Sequence, residues 1–200
     1  MTTIWEQINT AMAQTIAQAQ ASLVQIGRHE RGVGAGVLYN RDGIIITNAH
    51  VVRDEVRHNI VMPNGETVTA EQVAQDDVYD LAALKVQVAE IEPIEHGDSR
   101  GLQPGQLVFA LGHPWGITGT TTAGVVISAE ERLTDRAGHT HPMIAVNIHL
   151  RPGNSGGPLI DSSGRLVGIN TVMTGAESGM AIPAHLIAQF MQTVTQTMIV

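Results

Sequence analysis

The sequence predicts an all-β domain, a sandwich or barrels, with one helix added at each end. Three observations predict it. Short runs rich in Val, Ile, Leu and Thr recur between glycine-bearing turns from about residue 27 to 182. Apolar residues repeat at helical spacing only near the two termini. Aromatic residues make up only 3% of the chain, so the core must be built from the aliphatic residues of these runs.

The N-terminal helix starts at a capping box. In Thr3-Ile4-Trp5-Glu6 the threonine caps the helix and the glutamate reaches back. Ile4, Ile8, Met12 and Ile16, with Trp5, Ala11 and Ala19 alongside, form one apolar face to about Gln20. Packing of this face on the protein's own body is the first expectation, and a partner interface the second. A short lead-in strand, Ser22 to Ile26, follows. In the β-rich middle, Gly36 to Tyr39 and Ile44 to Thr47 flank the turn Asn40-Arg41-Asp42-Gly43 and read as a hairpin. Leu107 to Leu111, Thr120 to Ala129, Met143 to Ile148 and Leu166 to Val172 are further strands. Gly97 to Gly105, with three glycines and a proline, reads as a linker between two lobes. Pro183 opens the C-terminal helix. Its stripe of Leu186, Ile187, Phe190, Met191 and Val194 is expected to dock on the second lobe.

Composition excludes several functions. Acidic residues outnumber basic ones, 19 to 11, for a net charge of −8, which argues against a nucleic-acid partner. No cysteine is present, so neither a disulfide framework nor a thiol nucleophile is available. No run is long and apolar enough to span a membrane, and the N-terminus does not read as a secretory signal. The expected location is cytoplasmic as the chain is written, and periplasmic or otherwise extracytoplasmic if Met1 stands in place of an export segment. Gly32-x-Gly34-x-Gly36 lacks the last glycine and the helix of a phosphate-binding loop, and His139-x-His141 has no partner ligands near it in sequence. No metal or other cofactor is expected.

Three segments carry chemistry. Gly153-Asn154-Ser155-Gly156-Gly157 sets a serine in a tight turn that can lift its hydroxyl and aim backbone N–H groups at an oxyanion. The same residues also make an ordinary surface turn. Thr47-Asn48-Ala49-His50-Val51-Val52 places a histidine after an apolar strand, and Tyr79-Asp80-Leu81 places an aspartate before one. Together they run His, Asp, Ser, one of the known triad orders. The pattern Gly153-x-Ser155-x-Gly157, with Asp161 and His185 after it, also fits the elbow of α/β-hydrolases. That elbow needs a helix after the serine, whereas Pro158-Leu159-Ile160 reads as a strand.

In these residues the sequence resembles the protease domain of the HtrA/Deg group of trypsin-like serine proteases. The matching stretches are Gly32 to Gly36, Thr47 to Val52, Asp80 to Val86, Gly97-Asp98-Ser99, Ala110 to Gly116, Arg151 to Leu159, Val167 to Thr171 and Met180 to Pro183. Asp80 follows His50 by 30 positions and Ser155 follows Asp80 by 75. The resemblance implies two six-stranded antiparallel β-barrels: a lead-in over 1–26, a first barrel over 27–100 and a second over 101–200. It implies an ATP-independent endopeptidase of protein quality control, acting on unfolded or damaged polypeptides and assembled as a homotrimer. The alternative is a latent or chaperone-like peptide-binding module on the same fold. His50, Asp80 and Ser155 would be catalytic. Gly153, Asn154 and Ser155 would form the oxyanion hole, Asn154 contributing by its backbone alone. Thr171 would hydrogen-bond Asp80. The substrate pocket would be lined by His149, Leu150, Val172, Met173, Met180 and Ala181, which contain no carboxylate and so favour a small aliphatic side chain. His149 is expected to point away from that pocket. The sequence departs from the family at His113 and Asn147, where Asn and Asp are expected, and at His149 and Arg151. It ends near Val200, where the family usually continues into a PDZ domain, so either a protease domain without one is expected or the sequence is a piece of a longer protein.

Overall fold

The computed structural model describes residues 2–28, 32–53, 55–87, 92–134, 140–171 and 178–198. Helix α1 (Ile4–Gln20) comes first. Strands β1 (Leu23–Arg28), β2 (Gly32–Leu38), β3 (Ile44–Thr47), β4 (Arg57–Val61), β5 (Thr67–Asp76) and β6 (Leu81–Lys85) follow, and close an antiparallel barrel in the order β1-β2-β3-β6-β5-β4. Strands β7 (Leu107–Gly112), β8 (Thr120–Thr134), β9 (Thr140–Val146), β10 (Pro158–Asp161), β11 (Leu166–Asn170) and β12 (Gly179–Pro183) close a second, in the order β10-β11-β12-β9-β8-β7. Helix α2 (Ala184–Met198) ends the described chain. The lead-in strand expected before the first barrel is β1, one of its walls, paired with both β2 and β4.

The unbroken apolar runs have a simple cause. Successive side chains of a strand point to opposite faces, and here both faces are covered. Ile45, Ala82 and Leu84 fill the first barrel, while Ile44, Ile46, Leu81 and Ala83 turn toward the space between the barrels. Val108 and Ala110 fill the second barrel, and Phe109 and Leu111 meet the first barrel's residues in that space. The interbarrel cluster also takes in Leu186, Ile187, Phe190, Met191 and Val194 of α2. The C-terminal helix therefore packs on both lobes, touching β5 and β6 as well as β11 and β12. Its start is held by Ser99, whose Oγ accepts the His185 N–H at 3.1 Å and lies 2.9 Å from His185 Nδ1.

The capping box of α1 is formed as the sequence predicts: Glu6 N–H donates to Thr3 Oγ1, and Thr3 N–H to Glu6 Oε2. The expectation that its whole apolar face packs on the body is corrected. Met12, Ile16 and Ala19 do so, but Ile4 is 68% exposed, Trp5 72% and Ile8 41%. A helix leaving a barrel at its rim can touch that barrel only with its last turns.

Candidate active site

Each of the three chemical segments lies at the end of a strand facing the junction of the two barrels. β3 runs out at Thr47, and a single 3-10 turn, Ala49–Val51, carries His50. Asp80 stands just before β6. Its backbone carbonyl accepts the Ala49 N–H at 3.1 Å and Asn48 Nδ2 at 3.1 Å, which ties it to the turn bearing His50. Its carboxylate then holds the histidine at two points. Oδ1 accepts the His50 backbone N–H at 3.0 Å, and Oδ2 lies 2.8 Å from His50 Nδ1. From the other barrel, Thr171 Oγ1 donates to Oδ2 at 3.0 Å. Asp80 has φ 55°, a left-handed conformation that costs a non-glycine residue about 1–3 kcal/mol. The three hydrogen bonds to its carboxylate and the two to its carbonyl offset that cost.

The serine turn hangs between the barrels. The Ser155 carbonyl accepts the Ala35 N–H from β2 at 2.9 Å, and Gly156 N–H donates to the Asn170 carbonyl of β11 at 3.0 Å. Gly156 has φ 83°, and a Cβ there would fall on the Ala35 carbonyl and Thr47 Oγ1. Only glycine permits that approach. Before the serine, Arg151-Pro152-Gly153-Asn154 closes a turn by the Asn154 N–H on the Arg151 carbonyl at 2.9 Å, with Gly153 at φ 104°. Proline followed by glycine at positive φ is the type II form. The Gly153 carbonyl is held from behind by the His113 N–H at 2.8 Å. The N–H groups of Gly153 and Ser155 have no partner among the described residues.

Asn154 departs from expectation. Its N–H is spent on Arg151, so it is not a free oxyanion donor. Its buried side chain does contribute, Oδ1 accepting the Arg151 N–H at 2.9 Å. Among the expected pocket residues, Val172 and Met173 lie outside the described residues. Leu150 and Met180 are 5% and 8% exposed. Ala181 is fully buried and, because β12 alternates, packs with Leu150 in the cluster of the second barrel. His149 is exposed. The rival hydrolase partners stand elsewhere: Asp161 Oδ2 pairs with Arg165 at 2.8 Å, and His185 with Ser99. The serine is followed by β10, not a helix. His139 lies outside the described residues, and among those described no group of three His, Asp or Glu could hold a metal ion.

Sequence reasoning missed the residues that frame the serine turn. Asn170 Nδ2 donates to the Leu111 and Pro158 carbonyls at 3.2 and 3.0 Å. Gly112 lets Asn154 approach, since a Cβ there would sit 2.7 Å from both Asn154 Cα and the Gly153 oxygen. Gly179 lies against Leu150, whose Cγ would be 2.9 Å from an added Cβ. An asparagine inside an apolar strand and a glycine ending one were the available signals.

His113 is buried in this frame, and its Nδ1 accepts the Gly119 N–H at 3.2 Å. Burial pushes its pKa below the ordinary histidine value, with the Val24 backbone opposing. A proton on Nδ1 would also set donor against donor at Gly119. The unfolded chain takes up that proton near pH 6.5 and the folded chain resists it. The folded state therefore loses stability as pH falls below about 6.5, by at most about 1.4 kcal/mol per pH unit. His185, lowered by burial and Arg100, adds to the same loss. In His113→Asn, melting temperatures between pH 7 and 5 are expected to fall less steeply than in the parent, the His185 share remaining.

Comparison with known proteins identifies the family. A family model described as trypsin-like peptidase domain matches residues 34–169. The chain is 35% identical over 161 residues to the mitochondrial serine protease HTRA2 of Bos taurus, covering 79% of this chain and 35% of that protein. It is 36% identical over 157 residues to the chloroplastic protease Do-like 1 of Arabidopsis thaliana, covering 75% and 36%. A serine endoprotease from Yersinia pestis superposes with TM-score 0.80 at 29% identity, covering 92% of this chain and 66% of that structure. The chain thus spans little more than a third of the length of these curated relatives.

Proposed function

Since the chain belongs to the trypsin-like peptidase domain family, we propose that it is a serine endopeptidase in which Ser155 attacks the peptide carbonyl and His50 takes its proton. A serine hydroxyl is a weak nucleophile at neutral pH and needs an adjacent base. His50 then passes the proton to the leaving amine. Asp80 fixes the imidazole through Nδ1, leaving Nε2 for the serine, and stabilises the imidazolium that forms. Thr171 positions the Asp80 carboxylate. The N–H groups of Gly153 and Ser155 receive the oxyanion. The observation that carries the reading is the two-point clamp of Asp80 on His50 at 3.0 and 2.8 Å. The N–H groups of Gly153 and Ser155, unpartnered among the described residues, favour an active enzyme over a latent peptide-binding module.

The substrates proposed are unfolded or damaged polypeptides, cleaved after small aliphatic residues. Leu150 and Met180 support this, being apolar, and no carboxylate stands among the described pocket residues to bind Lys or Arg. Digestion of unfolded casein without ATP tests both points, by sequencing the new N-termini. Cleavage after Val, Ala, Ile or Leu supports the reading. Intact casein contradicts the activity, and cleavage after Lys or Arg contradicts the pocket.

The resemblance to HtrA-type proteases also supports a homotrimer, and the exposed Ile4, Trp5 and Ile8 of α1 give it an apolar contact face. Trp5→Glu changes an exposed side chain and leaves the packed end of α1 alone. It is expected to shift the sedimenting species from trimer toward monomer. A parent chain that sediments as a monomer at micromolar concentration contradicts the assembly.

A further inference from the structure

Trp115 stands where neither the backbone nor the core asks for it. His113-Pro114-Trp115-Gly116 is a turn closed by the Gly116 N–H on the His113 carbonyl at 3.0 Å. Pro114 takes its second position, and Trp115, at φ 55° and ψ 21°, its third. Proline followed by a positive φ is the type II arrangement, whose third position suits glycine or asparagine. An indole there carries strain that either of those would relieve. Burial does not compensate, since Trp115 is 72% exposed and Ile117 58%. Its ring contact among the described residues is the Arg151 guanidinium, 5.8 Å from the centroid.

The position of the turn supplies a reason. In the second barrel β10, which begins just after the serine turn, lies between β11 and β7. Thr171 and Met180 stand on the β11–β12 side, with Leu150 packed on Gly179 of β12. On the opposite side β7 runs out through Gly112 into His113 and Trp115. That turn is fastened to the oxyanion turn at both ends: His113 N–H donates to the Gly153 carbonyl at 2.8 Å, and Arg151 reaches the indole. A polypeptide crossing Ser155 with its acyl half toward β11 and β12 therefore sends its leaving half toward the turn between β7 and β8. We propose that Trp115, with Ile117 beside it, determines specificity on the leaving side of the scissile bond by packing against an apolar substrate side chain just past it. The inference rests on the endopeptidase reading and adds a second recognition surface to it.

Trp115 is one of two tryptophans, so in a Trp5→Phe, Ser155→Ala chain it is the sole indole and turnover is blocked. Two fluorescein-labelled peptides are titrated into that chain: one with Val before the central bond and Leu and Phe after it, and one that ends at the Val. The first is expected to shift the indole emission to the blue with saturation, and to bind about ten-fold tighter by anisotropy than its analogue with Gly and Ser after the bond. The truncated peptide is expected to leave the emission unmoved. Equal shifts from both peptides, or none from either, overturn the proposal. In the otherwise unmodified chain, Trp115→Asn is expected to lower the ratio of kcat/KM for the Leu-Phe substrate over the Gly-Ser substrate about ten-fold. Its melting temperature is expected to be no lower than the parent's, whereas a structural role for the indole would lower it. An unchanged ratio also overturns the proposal. Failure of the endopeptidase reading shows separately, as intact casein with the unmodified chain.

Discussion

Ser155→Ala is expected to lower kcat on unfolded casein by about six orders of magnitude, and His50→Ala to do the same. The members of such a group act on one proton, so the double variant is expected to lose no more than either single one. Ser155→Ala removes only a hydroxyl, whereas His50→Ala also removes one of the three hydrogen bonds to the Asp80 carboxylate. Ser155 is held by its carbonyl on the Ala35 N–H, and the His50 backbone N–H keeps its bond to Asp80 Oδ1. The melting temperature of Ser155→Ala should therefore stay close to the parent's, and that of His50→Ala should fall modestly. Casein turnover retained by a contaminant-free Ser155→Ala chain contradicts the assignment, and additive losses in the double variant contradict the shared mechanism.

Gly153→Ala is expected to have the next largest effect, a loss of about 10²–10³ in kcat with KM little changed. Gly153 holds φ 104°, which side-chain-bearing residues rarely adopt. An added Cβ would meet the His113 carbonyl and lie 2.7 Å from Pro114 Cα. Relief requires the Pro152–Gly153 peptide to turn over, which takes the Gly153 N–H away from the developing oxyanion. The expected signature is slow turnover with slow acylation by a fluorophosphonate, in a chain that still melts cooperatively. Unchanged kcat would show that this N–H plays no part. A raised KM at constant kcat would move Gly153 from oxyanion binding to ground-state binding.

The elements that sequence reasoning located share one property: their signals are local. The capping box at Thr3 and Glu6, the β2–β3 hairpin and the α2 stripe each lie within a few residues of chain. The three chemical segments were readable for the same reason, each a short motif at a strand end. Placing Thr171 against Asp80 came from the resemblance, since their 3.0 Å hydrogen bond forms only because the two barrels face each other. What was not legible depends on what covers a face. Periodicity gives α1 an apolar stripe but cannot say that Ile4, Trp5 and Ile8 extend past the barrel rim. Neighbouring Met180 and Ala181 look alike in the sequence, yet strand alternation sends one to the interbarrel cluster and the other into the barrel. Asn154 looked like a backbone donor because its side-chain bond to Arg151 arises only once the turn has closed. Trp115 was read merely as part of a matching stretch, because neither its positive φ nor its exposure is written in the residues around it.

The central claim is that Ser155 is a nucleophile made reactive by His50. Labelling the native chain with a fluorophosphonate, followed by mass spectrometry of the digested protein, tests it most directly. The account predicts one adduct per chain, on the peptide containing Ser155, and its loss in His50→Ala. A native chain that takes up no label, carries it on another residue, or labels equally fast without His50 would contradict it.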